Sequence, residues 1–266
     1  MVNSLANGYR TASPLALWTA LLLVALTITE VLAILSMASQ IQLLEAAQFG
    51  AIIPPAQAES QDGRQRLLGT IELTLWFAAE LSFLVWVYWA SRNAHALGAE
   101  GMRFSPGWSV GWFFVPLAGL YMPCLVFREL WKASTPSAGA HWQKIPVSPV
   151  VGLWWVMCLA AAVTHYSPWG IVAGKWRLTD SDRFEGFWLP ALMEFSRGFL
   201  IAEIIGIVVN VLTVVVIFSI THLQENRRFL LADLEMPEFA TRSHQTLLPD
   251  DVTNITAILD KSKWAK

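Results

Sequence analysis

The chain has 266 residues, 55% of them hydrophobic and only 14% charged, with a formal net charge of −2. Soluble globular chains carry about 25% charged residues, so this deficit, with a mean hydropathy of +0.47, points to a membrane protein. A balance so near neutral excludes nucleic acid as a partner, because phosphate binding needs a basic surface, and Cys124 and Cys158 support neither a disulfide framework nor a CxxC-type metal site.

Four segments are long and apolar enough for a bilayer core that needs about 20 helical residues. Leu15 to Ala38 is the first, with Glu30 its only charge. Ser36-Met37-Ala38 offers small residues for a signal-peptide cleavage, but the apolar run is long and only Arg10 precedes it, so an uncleaved anchor is expected. Gln40 to Arg66 is expected as a loop around Pro54-Pro55, followed by a second helix from Leu67 to Ala90 containing Glu72 and Glu80. The third helix spans about 147–165 and the fourth Gly198 to Thr221, with Glu203, Asn210 and the β-branched run Val214-Val215-Val216-Ile217. Such a run disfavours helix in water, but in lipid the demand for backbone hydrogen bonds overrides propensity.

Between the second and third helices, Phe104 to Phe127 carries no charge yet is broken by Pro106, Pro116 and Pro123. Lipid tolerates such backbone only where protein or water satisfies it. A fifth crossing would divide the Lys and Arg residues outside the distant tail seven to seven. Re-entry on one side gives eight against six, with both termini cytoplasmic, the direction that the positive-inside rule prefers. The expected architecture is therefore an all-α integral membrane protein: a bundle of four transmembrane helices plus a Pro/Gly-broken re-entrant or interfacial element. Residues 1–222 form the transmembrane domain, with the broken element at 104–127 and an external loop at 166–197; residues 223–266 form a cytoplasmic tail.

Indole prefers the headgroup level. Trp86, Trp89, Trp108, Trp112, Trp131, Trp142, Trp154 and Trp155 are expected as a belt at the cytoplasmic interface, and Trp169, Trp176 and Trp188 at the opposite one. In the external loop, Asp180-Ser181-Asp182 reads as a helix cap rather than a calcium loop, because the EF-hand spacing is absent. In the tail, Leu223 to Leu234 continues the last helix, Thr241 to Pro249 reads as flexible and Asp251 to Leu259 as one more short helix; the sequon at Asn254 would not meet its transferase in a cytoplasmic tail.

Charge at a helix centre in lipid costs about 2.5–3.5 kcal/mol on insertion scales, so it marks a partner or a wet cavity. Glu30, Glu72, Glu80 and Glu203 are the candidates, with Glu72 and Glu80 on neighbouring faces of one helix. They either hold the bundle together or line a cation or proton pathway, and the structural role is the favoured one. Arg92, Asn93 and His95 follow the second helix, where cations complement its C-terminal carbonyls. Arg128 and Glu129 pair locally, or Arg128 meets lipid phosphate. His165 and His222 fall near opposite faces and cannot share a haem, and no catalytic triad or P-loop is legible, so no cofactor and no enzymatic activity are expected.

Trp86-x-x-Trp89-x-x-Arg92-Asn93, Leu97-Gly98 and Phe104-Ser105-Pro106-Gly107-Trp108 lead into Gly111-Trp112-Phe113-Phe114-x-Pro116, Leu120-x-x-Pro123 and Arg128-Glu129-Leu130-Trp131-x-Ala133-Ser134. This ordered set resembles a bacterial membrane-domain family, domain of unknown function 4328, which often carries Asn where Gly119 stands. The resemblance implies a multi-pass protein of a bacterial cytoplasmic membrane and brings no known activity. Two functions remain open. One is a non-enzymatic accessory or sensory module that docks a protein partner or a second copy. The other is a small cation or proton transporter or channel using Glu72 or Glu80.

Overall fold

In a computed structural model, residues 8–138, 141–165 and 188–246 are described, and all their regular structure is helical. Helix α1 runs Ser13–Gln48, α2 Pro55–Ala96 and α3 Pro106–Gly111; α4 runs Met122–Ser134, α5 Pro149–His165 and α6 Trp188–Thr246. Three helices, α1, α2 and α6, are long and apolar enough to cross a membrane, and α5 is a shorter apolar helix.

Proline sets the start of α1, α2, α3 and α4, entering each in its first two positions, where its missing N–H costs nothing. The segment expected as a loop from Gln40 to Arg66 is mostly helix: α1 and α2 close into a hairpin across residues 49–54. At about 1.5 Å per residue, α1 is about 54 Å long and α2 about 63 Å, well beyond a bilayer core of about 30 Å. The polar stretch Glu59 to Gly63 that reads as a loop is instead the first turns of α2, where Gln61 bonds the Ser36 carbonyl (2.7 Å) and Pro54-Pro55 only starts the helix. Likewise α6 begins at Trp188, inside the expected external loop, and runs to Thr246, through the start of the stretch expected as flexible. The predicted cap at 180–182, Trp169, Trp176 and the short helix at 251–259 lie outside the described residues.

Outward-facing apolar side chains mark a zone common to the long helices. They run from Leu17 to Leu35 on α1, Leu67 to Tyr88 on α2 and Ile201 to Phe218 on α6, where Phe229 and Leu230 are exposed again further along. Beyond that zone, at the distal end, Leu44, Ala58, Leu192 and Met193 form a small second core, and Arg197 meets Glu45 at 3.9 Å.

The segment 104–127 is broken as expected. It contains α3, 3-10 turns at Trp112–Phe114 and Ala118–Leu120, and the first turns of α4; Leu117 adopts φ 62° between the two turns. Both of its ends are fixed to the same, proximal end of the bundle. The Glu129 carboxylate accepts the backbone N–H of Arg103 (2.7 Å) and Phe104 (3.2 Å), and Gln224 donates to Ala90 O (2.8 Å) and Ser134 Oγ (3.0 Å). Its turn between these ends exposes Phe114, Leu117, Leu120 and Tyr121.

Candidate functional site

Two regions carry the polar chemistry. At the proximal end many buried polar side chains are paired; Tyr9 Oη, Trp112 Nε1 and Gln224 Oε1 are exceptions among the described residues. Trp86, Trp142 and Trp154 are buried, and their indole N–H groups reach Thr221 Oγ1 (3.1 Å), the Glu100 carbonyl (2.9 Å) and Thr213 Oγ1 (2.9 Å). These three therefore belong to the core and not to an interfacial belt, because interior acceptors replace the water that an indole otherwise seeks. Phe127 packs between Phe83 (centroids 5.8 Å) and Trp154 (4.5 Å), plugging the bundle. Asn93, fully buried, ties the N-terminal segment down: it accepts from Arg10 N (3.1 Å) and donates to Arg10 O (2.7 Å). Arg227, also buried, donates to the Ala133 carbonyl.

Several expected roles change here. Glu129 bonds backbone N–H groups instead of Arg128, which stays exposed. Arg92 lies over the Trp89 ring, 5.1 Å from its centroid. Pro123 is buried in the first turn of α4, whereas Pro116 is exposed before the strained Leu117. At Gly119 an added Cβ would stand 3.2 Å from the Trp112 carbonyl oxygen, so this chain has closed the space that a larger residue there would need.

The second region lies within the apolar zone, toward its distal side. Helices α1, α2 and α6 bring Glu30, Glu72 and Glu203 within electrostatic reach of one another. Glu30 accepts from Asn210 Nδ2 (2.9 Å), which also meets Thr27 Oγ1 (3.2 Å). Glu30 lies against α6 at Gly206, where an added Cβ would come within 2.9 Å of Glu30 Oε1. Glu203 is 6% exposed and has no hydrogen-bond partner among the described residues, and Glu72 Oε1 is buried and unbonded. No Lys or Arg of the described residues forms an ion pair with any of the three. Glu80 lies within electrostatic reach of Cys158 of α5 instead. Among the described residues, no three His, Cys, Asp or Glu side chains converge to hold a metal ion.

Sequence reasoning singled out the carboxylates but not Asn210, Gly206 or their meeting with Glu30. A signal was present: Gly206 and Asn210 are four apart, on one face of an otherwise apolar helix.

The family model described as a domain of unknown function (DUF4328) matches residues 50–222. The chain belongs to that family. No curated protein and no solved structure matches it.

Proposed function

We propose that this member of the domain-of-unknown-function family is a non-enzymatic accessory or sensory module of a bacterial cytoplasmic membrane. It crosses the bilayer four times and returns its broken element to the cytoplasmic side, where both termini lie. The single observation that carries the sensory reading is the contrast inside one bundle. Three carboxylates gather in the apolar zone without a cation, while the proximal end is plugged by Phe127, Trp86 and Trp154. Carboxylates packed against like charges in an apolar interior are costly unless a proton or an alkali cation joins them. Uptake at that cluster changes the packing of α1, α2 and α6, and the plug turns that change into a signal instead of a pathway.

Proteoliposomes with an imposed pH gradient test this reading. The wild-type protein is expected to leak protons no faster than protein-free vesicles. Flux that disappears in Glu72→Gln/Glu203→Gln would establish the transporter reading instead. Single cysteines at Glu100 and His141, both exposed, test the re-entrant topology once Cys124 and Cys158 are replaced. The expectation is labelling from one side, with a control cysteine at Ser60 labelled from the other. Labelling of Glu100 and His141 from opposite sides would mean a fifth crossing.

A further inference from the structure

At the proximal end, two arginines share one indole. Arg10 lies 4.9 Å and Arg92 5.1 Å from the Trp89 ring centroid, both inside the range of a cation–π contact. The two guanidiniums are therefore at most about 10 Å apart, although like charges repel. What holds them together is structural: the reciprocal bonds between Arg10 and buried Asn93 fix the N-terminal segment against the last turns of α2. Both side chains are exposed, and neither forms an ion pair with a carboxylate among the described residues. Glu225, beside this segment, accepts from the hydroxyls of Thr11 and Ser13, and Arg228 adds a further cation over Tyr9.

Depth fixes what such a pair can meet. The outward-facing apolar residues of α2 end at Tyr88, and those of α1 begin at Leu17 and Trp18. Arg92 stands about one turn past the first boundary, and Arg10, seven residues before Leu17 and ahead of the start of α1 at Ser13, lies beyond the second. In the bilayer reading on which this inference rests, that is the level of the lipid phosphates. The C-terminus of α2 contributes about half a negative charge nearby, less than two full cations.

We propose that Arg10 and Arg92, oriented on Trp89, form a binding site for the phosphate of an anionic phospholipid headgroup. Guanidinium donors match phosphate oxygens in paired geometry, and the indole removes much of the rotamer freedom that free arginines would lose on binding. A lysine pair would keep the charge and lose the paired donors.

Native mass spectrometry of the full chain, released from nanodiscs, reads the site directly. With phosphatidylglycerol doped into phosphatidylcholine, the wild-type protein is expected to retain one anionic lipid in preference to the zwitterionic one. Arg10→Gln/Arg92→Gln should lose that preference by about tenfold or more, whereas Arg64→Gln/Arg66→Gln, at the other end of α2, should keep it. Arg10→Lys/Arg92→Lys should be intermediate, and it serves in place of the Gln pair if that variant does not fold. Equal retention by wild type and both Arg10/Arg92 variants, or displacement of the lipid by millimolar inorganic phosphate alone, would overturn a lipid site. Failure to enter nanodiscs of pure phosphatidylcholine would sink the membrane reading separately.

Discussion

The proximal plug and the carboxylate cluster share long helices, but α4 and α5 add Phe127 and Trp154 to the plug, and the two regions differ in the polar groups they bury. In the plug Trp86, Trp142, Trp154 and Gln224 each donate to an acceptor within 3.1 Å, while Trp112 Nε1 and Gln224 Oε1 are buried and unbonded. In the cluster Asn210 satisfies one oxygen of Glu30, while Glu72 Oε1 is buried without a partner among the described residues. A buried polar group without a partner costs about 1–3 kcal/mol, more when charged. Unpaired atoms occur at both ends, but at the cluster they belong to carboxylates, for which the cost is larger. The plug holds mainly indoles and amides, and the cluster holds carboxylates.

The sharpest way to break this comparison is to weaken each region and compare the costs. Phe127→Ala removes the ring between Phe83 and Trp154 and should destabilise the protein by about 3–5 kcal/mol, read as thermal unfolding in detergent. A cost below about 1 kcal/mol would mean that the plug is not a core. Gln224→Leu strips the Ala90 carbonyl and Ser134 of their shared donor and should cost about 1–3 kcal/mol by the same assay. Gly206→Ala drives a methyl into Glu30, and about 1 kcal/mol is expected. Loss of the Asn210–Glu30 contact should appear as faster hydrogen exchange around Asn210.

Glu203→Gln should stabilise the protein by about 1 kcal/mol, because it removes a buried charge that nothing among the described residues pairs. A loss as large as that of Phe127→Ala would make the cluster structural and end the sensory reading. The smallest effect is expected at Tyr9, where burial, then Glu225, raise the phenol above its ordinary value, with Arg228 opposing. The folded state holds that proton more tightly, so its contribution is complete below the ordinary phenol value of 10.0 and disappears as pH climbs through the raised one. Melting at about pH 9 and about pH 11 in wild type and Tyr9→Phe checks the sign.

Much of this was legible in the sequence for simple reasons. Uncharged runs of about 20 residues announce long helices, and three prolines in 104–127 announce a broken segment. The length of the hairpin was hidden because Pro54-Pro55 reads equally as a turn and as a helix start. The carboxylates were visible one by one, but their meeting depends on how α1, α2 and α6 rotate about their axes, which composition does not encode. Glu129 was misread because the backbone N–H groups it serves are 25 and 26 residues upstream, whereas Arg128 is its neighbour in sequence.

Helix α6 gives the two regions a mechanical relation. It carries Glu203, Asn210, Gln224 and Arg227 without a break, so the cluster and the plug sit on one rod, about 36 Å apart from Glu203 to Arg227. A rod of that length acts as a lever. A tilt at the cluster too small to disturb its own packing swings the far arm through a larger arc. Beyond the plug the same helix runs on to Thr246, which lengthens that arm.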